Sequence, residues 1–353
     1  MIPLRIMIKT RRALATTTLL VLASLLFFGT GCGVATSLFR QPSPTATVTL
    51  IPTATATLTA TATVTPTATG TATPSPTPAP TYTPTPTVEP LHLSLNFHPP
   101  QIGQGHTLWI EVLSNRVVTV TGALDERLLS FVPKPGGAWA VVGVPVLAEA
   151  GAHPVQLSVA DSLGGSVSTM VSVMVVATDF GSEHVYIPPD RVNLLEPEVV
   201  REEAQRLEQV FAHLTPQQFW QGTFIWPHAG RVSSPFGIAR TYNAGQNSYH
   251  GGMDIAGEAN APVVASNHGQ VALAAPLQVR GNAVILDHGW GVYSGYYHLS
   301  EILVSEGQQV MQGEVIGRLG NTGLSTGEHV HWEMRVGGVL VNPLEWTSRP
   351  IPE

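Results

Sequence analysis

Three short stretches in the last third of the chain carry the residue types that metal chemistry needs. They are Tyr249-His250-Gly251-Gly252-Met253-Asp254, Tyr296-Tyr297-His298-Leu299-Ser300 and Gly327-Glu328-His329-Val330-His331-Trp332-Glu333. Together they supply four imidazoles and the Asp254 carboxylate. A catalytic zinc site uses two or three nitrogen ligands, an oxygen ligand, an open position for water and spare bases nearby. His329 and His331 are one residue apart and lead into an alternating run through Val336. The period of a strand then puts both rings on one face, with Val330 and Trp332 on the other. Side by side, one ring can serve the metal and the other the reacting groups. His250 and Asp254 stand four apart, but Gly251 and Gly252 between them argue against a helix. The pair is expected on a strand and turn, unlike the helical His-Glu-x-x-His arrangement. Asp254 lies between Met253 and Ile255, where a carboxylate needs a cation or strong donors to stay charged. With His250 nearby, metal ligation accounts for it better than a turn role.

The ordered combination Ser234-Pro235-Phe236-Gly237, His250-x-x-x-Asp254, Asp287-His288-Gly289, His298-Leu299-Ser300 and His329-x-His331 resembles the M23 (lysostaphin/LytM-type) zinc endopeptidases. The likeness covers Thr223 to Trp346 and implies cleavage of the peptide part of bacterial cell walls, with peptidoglycan as partner. It further implies that His250, Asp254 and His331 hold one Zn²⁺, while His298 and His329 form the catalytic pair. One of that pair would take a proton from water and the other would donate to the developing oxyanion. Glu328 stands where the family usually has Pro, and Val330 where it usually has Leu. Asn243 and Asn247, upstream of His250, are within chain reach of an open metal position in a latent form. The remaining histidines lack partners in sequence: His228, His268 and His288 read as turn or structural residues.

The elements that must position these residues are mostly strands. Pro262–Val264, Gly269–Leu273, Ala283–Leu286, Gly291–His298 and Gly313–Leu319 have strand character, so an antiparallel sheet is expected over 223–348, forming a groove floor with loops as walls. The spacing of Val304, Gly307, Val310, Gly313 and Ile316 is similar to that of lipoyl- and biotinyl-carrier domains. Those need an exposed lysine in a hairpin, and the only lysines are Lys9 and Lys134. Upstream, residues 91–178 alternate in short runs broken by Gly and Pro, which predicts an immunoglobulin-like β-sandwich. It resembles the β-rich domain often found ahead of the peptidase in exported M23 proteins. His92, His98, His106 and His153 within it lack ligand-like spacing. A linker over 179–222 holds one helix, 196–214, with Pro197 in its first turn and a stripe of Val200, Ala204, Leu207, Phe211 and Leu214. That stripe is expected to set the angle between the two β domains. The fold class is therefore mostly β, with a sandwich, one joining helix and an antiparallel catalytic domain.

The N-terminal quarter has a different job. Arg5, Lys9, Arg11 and Arg12 precede an uncharged run from Ala13 to Phe28, the pattern of an export signal over 1–32. The sole cysteine, Cys32, follows at once; it resembles the lipidated residue of bacterial lipoproteins, although Gly29 stands where Leu is usual. A lipid anchor at Cys32 would tie the chain to the outer side of the cytoplasmic membrane or elsewhere in the envelope. Residues 33–90 are rich in Thr, Pro and Ala, with no charge from Gln41 until Glu89, and so read as a tether reaching roughly 150 Å at most. Charged residues are scarce at 12%, the net charge is −7, and no basic stripe appears, which speaks against nucleic acid. Two other functions fit the same domains: a LytM-type activator of other wall hydrolases that has lost its own chemistry, or a wall-binding scaffold. Activators of that type usually lack some of the His and Asp positions, and here each is filled.

Overall fold

A computed structural model describes residues 89–352 apart from 244 and 246. The export signal, Cys32 and all but the end of the tether lie outside the described residues.

In Leu93–Val176, side chains alternate between burial and exposure, as in Val155, Leu157 and Val159 against Gln156 and Ser158. Such a pattern buries one face of each strand and requires a second layer to cover it. Two sheets do so. One has four strands in the order Leu93–His98, Thr107–Ser114, Gly137–Gly143, Val132–Lys134. The other has five, in the order Gln101–Gly103, Ser166–Val176, Gly151–Asp161, Val118–Leu124, Arg127–Leu129. Ile110, Val112, Val120, Leu157 and Val173, drawn from both sheets, share one core. The Gln101–Gly103 strand pairs parallel to Ser166–Val176, while the other pairings in these sheets are antiparallel.

The second half is organised on an eight-stranded antiparallel sheet. Its central strands, Asn282–Gly289 and Val292–Leu299, are buried almost end to end because both faces are covered. One face carries Ile255, Leu286, Tyr296, Val330 and Trp332. The other takes Leu207, Val210 and Phe211 of helix α1 (Pro197–Phe211) onto Ile285, Tyr293 and Tyr297. The helix lies against the eight-stranded sheet, and its expected stripe divides: Leu207 is buried, whereas Val200 and Leu214 are 41% and 47% exposed. Direct contact between the sandwich and the sheet comes instead from Trp109 and Val141, which join the core of Trp290, Val336 and Val341. Trp346, in helix α2 (Pro343–Ser348), donates its Nε1–H to Thr107 Oγ1 at 3.1 Å, and His106 Nδ1 lies 3.0 Å from Glu345.

Candidate metal centre

The register between two strands builds most of the site. Met253–Ala256 runs antiparallel to His329–Val336, with Asp254 opposite His331 and Ala256 opposite His329. Strand period two then puts His329, His331 and Asp254 on one face and the fully buried Val330 and Trp332 on the other. His250 arrives from the turn before. Its backbone is pinned by His250 N–H to Ile238 O at 2.9 Å and Gly237 N–H to His250 O at 2.8 Å. Gly252 lets the chain turn beside His331: a Cβ there would stand 2.5 Å from the Trp332 carbonyl and 2.7 Å from His331 Nε2.

Three atoms converge. His250 Nε2 lies 3.0 Å from Asp254 Oδ1 and 2.9 Å from His331 Nδ1, and His331 Nδ1 lies 2.7 Å from Asp254 Oδ1. The outer atoms face partners that settle where the protons sit. His250 Nδ1 donates to Pro235 O at 2.8 Å, and His331 Nε2 faces Glu333 Oε1 at 3.3 Å. With protons held outward, each inner nitrogen turns a lone pair toward the others, a donor set suited to a divalent cation. The electrostatics agree. Burial alone lowers the His331 pKa, but the carboxylates of Asp254 and Glu333 beside it outweigh that and raise it, so the position favours positive charge. Asp254 is held well below the usual carboxylate range despite its burial, by His250 and His331. This His-Asp-His group fits zinc in ligand type and number.

Two more imidazoles stand beside the group. His298 Nδ1 and His329 Nδ1 each donate to a carbonyl, Thr322 O and Gly327 O, both at 2.8 Å. Their ring centroids are 4.9 Å apart, and His329 Nε2 is 3.5 Å from Asp254 Oδ1. Burial lowers the pKa of both, leaving them neutral with an acceptor nitrogen. His298 has a φ of +62°, a strained conformation for a side chain with a Cβ. Its N–H bonds to Arg280 O at 2.9 Å and helps hold it there.

Several contributors carry no motif. Arg240 Nη2 donates to Asp254 Oδ2 at 2.7 Å and to Ser234 Oγ at 2.8 Å, while Nε donates to Glu183 at 2.6 Å. Glu333, buried, lies between His331, Arg280 and Arg335, and its pKa falls because the two arginines outweigh burial. The Asn243 amide is engaged with Ile187: its Oδ1 accepts from Ile187 N–H at 2.8 Å and its Nδ2 donates to Ile187 O at 3.1 Å. Asn247 lies in the exposed part of the Asn247–Tyr249 strand. His288, expected in a turn, sits wholly buried in a strand between His268 O and Ser294 Oγ, both at 2.7 Å, away from the site.

The segment before α1 crosses over the site. Ser182–Val185 pairs parallel to Ala239–Tyr242 on one side. On the other, Arg191 Nη1 donates to Asn321 Oδ1 at 2.9 Å and also bonds Ser325 O. Beneath it, Val185 and Ile187 border a 60 Å³ cavity shared with Asp254, His298, His329 and His331. A larger cavity of 650 Å³ opens beside His250, His298 and His331.

Residues 248–343 match peptidase family M23. The chain is 42% identical over 123 residues to a DD-carboxypeptidase/endopeptidase, Mpg, of Neisseria meningitidis, a match covering 35% of this chain and 28% of that protein. It is 35% identical over 133 residues to the murein hydrolase activator NlpD of Escherichia coli, covering 37% of this chain and 32% of the relative. The chain thus spans about a third or less of the curated relatives it matches. Among solved structures, a putative peptidase M23 from Pseudomonas aeruginosa aligns at 28% identity over 65% of this chain and 87% of that one, with a TM-score of 0.49.

Proposed function

We propose, from the match of residues 248–343 to peptidase family M23, that the chain is a zinc-dependent endopeptidase that hydrolyses peptide bonds in peptidoglycan stem peptides or cross-bridges during cell-wall remodelling. The observation that carries this reading is the convergence of His250 Nε2, Asp254 Oδ1 and His331 Nδ1 within 3.0 Å, beside two neutral imidazoles. His250, Asp254 and His331 would hold one Zn²⁺ per chain. Bound there, zinc acidifies water and polarises a carbonyl. The chain's own residues do the rest. His298 and His329 each direct an unprotonated nitrogen into the site; one would accept the water's proton and return that proton to the leaving amine, and the other, on taking up a proton from solvent, would donate to the developing oxyanion. Arg240 and Glu333 fix the outer sides of Asp254 and His331, so that ligand orientation is set before substrate arrives.

The export pattern of 1–32, the lipid attachment at Cys32 and the tether would place this chemistry outside the cytoplasmic membrane, within the envelope. Among the described residues, no helix is long and apolar enough to cross a membrane.

Mass analysis of products from purified peptidoglycan tests the activity, with zinc-stripped protein as control. His331→Ala is expected to lose both zinc and hydrolysis. His298→Ala is expected to keep zinc and lose turnover by at least a hundredfold, the scale of general acid–base catalysis. Full activity in the second variant would refute the assignment of roles. Zinc-loaded wild-type protein that releases nothing by itself, yet stimulates a separate wall hydrolase, would turn the assignment to an activator.

A further inference from the structure

Helix α1 presents two faces to its surroundings. One, through Leu207, Val210 and Phe211, packs into the sheet. The other sets apolar Pro197, Val200 and Ala204 beside charged Arg201, at positions i, i+3, i+7 and i+4 on one face. That second face does not enter the core. It borders the 650 Å³ cavity that also reaches His250, His298 and His331. The helix is fixed in this position by Glu203, whose buried carboxylate accepts from Val279 N at 2.7 Å, Arg280 N at 3.2 Å and Arg280 Nη1 at 3.0 Å. The rest of the lining includes apolar Leu324 and Leu340, together with Tyr242 and Tyr249, whose hydroxyls make no hydrogen bond among the described residues.

Building on the hydrolase reading, we propose that α1 is one wall of a substrate subsite, in which Val200 and Ala204 restrict the peptide to small aliphatic side chains such as that of alanine. A volume of 650 Å³ lies within the range of pockets that hold a small ligand, and suits a short peptide segment. Val200 and Ala204 offer contacts to methyl groups, and the hydroxyls of Tyr242 and Tyr249 offer hydrogen bonds to peptide groups. Ala204 leaves space, whereas Val200 is β-branched and nearly fixed at χ1 in a helix, so it sets a rigid limit on side-chain size. The cavity runs up to the imidazoles, so a peptide lying in it presents a bond to them.

The test uses full-length, zinc-loaded protein with tetra-alanine probes of L and D configuration and their single-leucine variants. Val200→Ala is expected to raise kcat/KM for leucine probes relative to alanine probes at least fivefold. Ala204→Trp, which fills the cavity, is expected to lower kcat/KM for all probes at least tenfold, with zinc content and Tm unchanged. Gln209→Trp, exposed and away from the cavity, is expected to do neither. An unchanged leucine-to-alanine ratio in Val200→Ala, or undiminished turnover in Ala204→Trp, overturns the proposal. So does an equal rise for every probe in either variant, since the helix would then be covering the site rather than lining it. If no probe is cleaved, NMR titration with tetra-alanine decides. Shifts at the Val200 and Ala204 amides that vanish in Ala204→Trp support the subsite even if the hydrolase reading fails, and their absence in the wild type overturns it.

Discussion

Arg240 holds the oxygen of Asp254 that faces away from the histidines, and shares its charge with Glu183 at 2.6 Å. Removing it leaves two carboxylates without their cation and frees Asp254 to rotate away from His250. Arg240→Ala is therefore expected to weaken zinc affinity by about 10- to 100-fold, the usual cost of losing a group that orients a ligand; competition with a chromophoric chelator measures it. Arg240→Lys recovers only part, because one ammonium cannot reproduce the fork that meets Asp254, Ser234 and Glu183 together. His288 makes a separate prediction, about stability. Burial lowers its pKa to about 4, from 6.5. Between those values the unfolded chain binds a proton that the folded chain refuses, so stability is lost as pH falls from 6.5 toward 4, by about 3 kcal/mol for this group. Urea melts of the wild type and His288→Asn across that window are expected to show a shallower pH slope in the variant. At this scale the histidines and Asp254 were legible because strand period and close spacing put them together. Arg240, Glu183 and Glu333 were not: a single charged residue does not reveal its partner, and the Arg240–Glu183 pair joins segments 57 positions apart.

The elements that hold the site depend on close backbone approach as much as on side chains. Gly252 lies where the Met253–Ala256 strand leaves the His250 turn, and a Cβ there would collide with the Trp332 carbonyl and with His331 Nε2. Backbone cannot yield as a flexible side chain can, so Gly252→Ala is expected to displace His331 and to lower zinc stoichiometry well below that of the wild type, while the far-ultraviolet circular dichroism of the sheet is retained. Metal analysis after dialysis checks this, and stoichiometric zinc in the variant would show that the turn tolerates the shift. The strands of the eight-stranded sheet were legible as β from their apolar runs and glycine punctuation. The path of Ser182–Leu195 over the site was not, because its parallel pairing with Ala239–Tyr242 and the grip of Asn243 on Ile187 leave no period in the sequence. The helix was visible as an amphipathic stretch, but a stripe read on one sequence cannot say which of its residues meet a core and which meet a cavity. Val200 and Leu207 look alike in sequence and differ in burial.

Over the described residues as a whole, the sandwich and the eight-stranded sheet share apolar surface, which bears on how the chain unfolds. Trp109 is 5% exposed and lies in the core that contains Trp290, Val336 and Val341. It is flanked by His98, stacked at 4.1 Å, and by Trp139. Gly143 brings the two layers so close that a Cβ would meet the Val336 carbonyl oxygen at 2.9 Å. Asn342 N–H to Gly105 O at 2.7 Å ties the sandwich to the start of α2. The two halves therefore unfold together rather than as beads on a string. Trp109→Ala removes a large ring from this seam and is expected to cost about 3 kcal/mol or more. For a folded region of this size, that lowers Tm by roughly 5–10 °C. Because the lost contact joins both halves, calorimetry of the wild type should show one transition, and the variant should either shift that peak whole or split it into two. The seam lies on the far side of the sheet from α1, so zinc content at 25 °C should remain that of the wild type. A variant with an unchanged melting profile would mean that the halves are held by the Trp346–Thr107 and Asn342–Gly105 hydrogen bonds rather than by the shared apolar core.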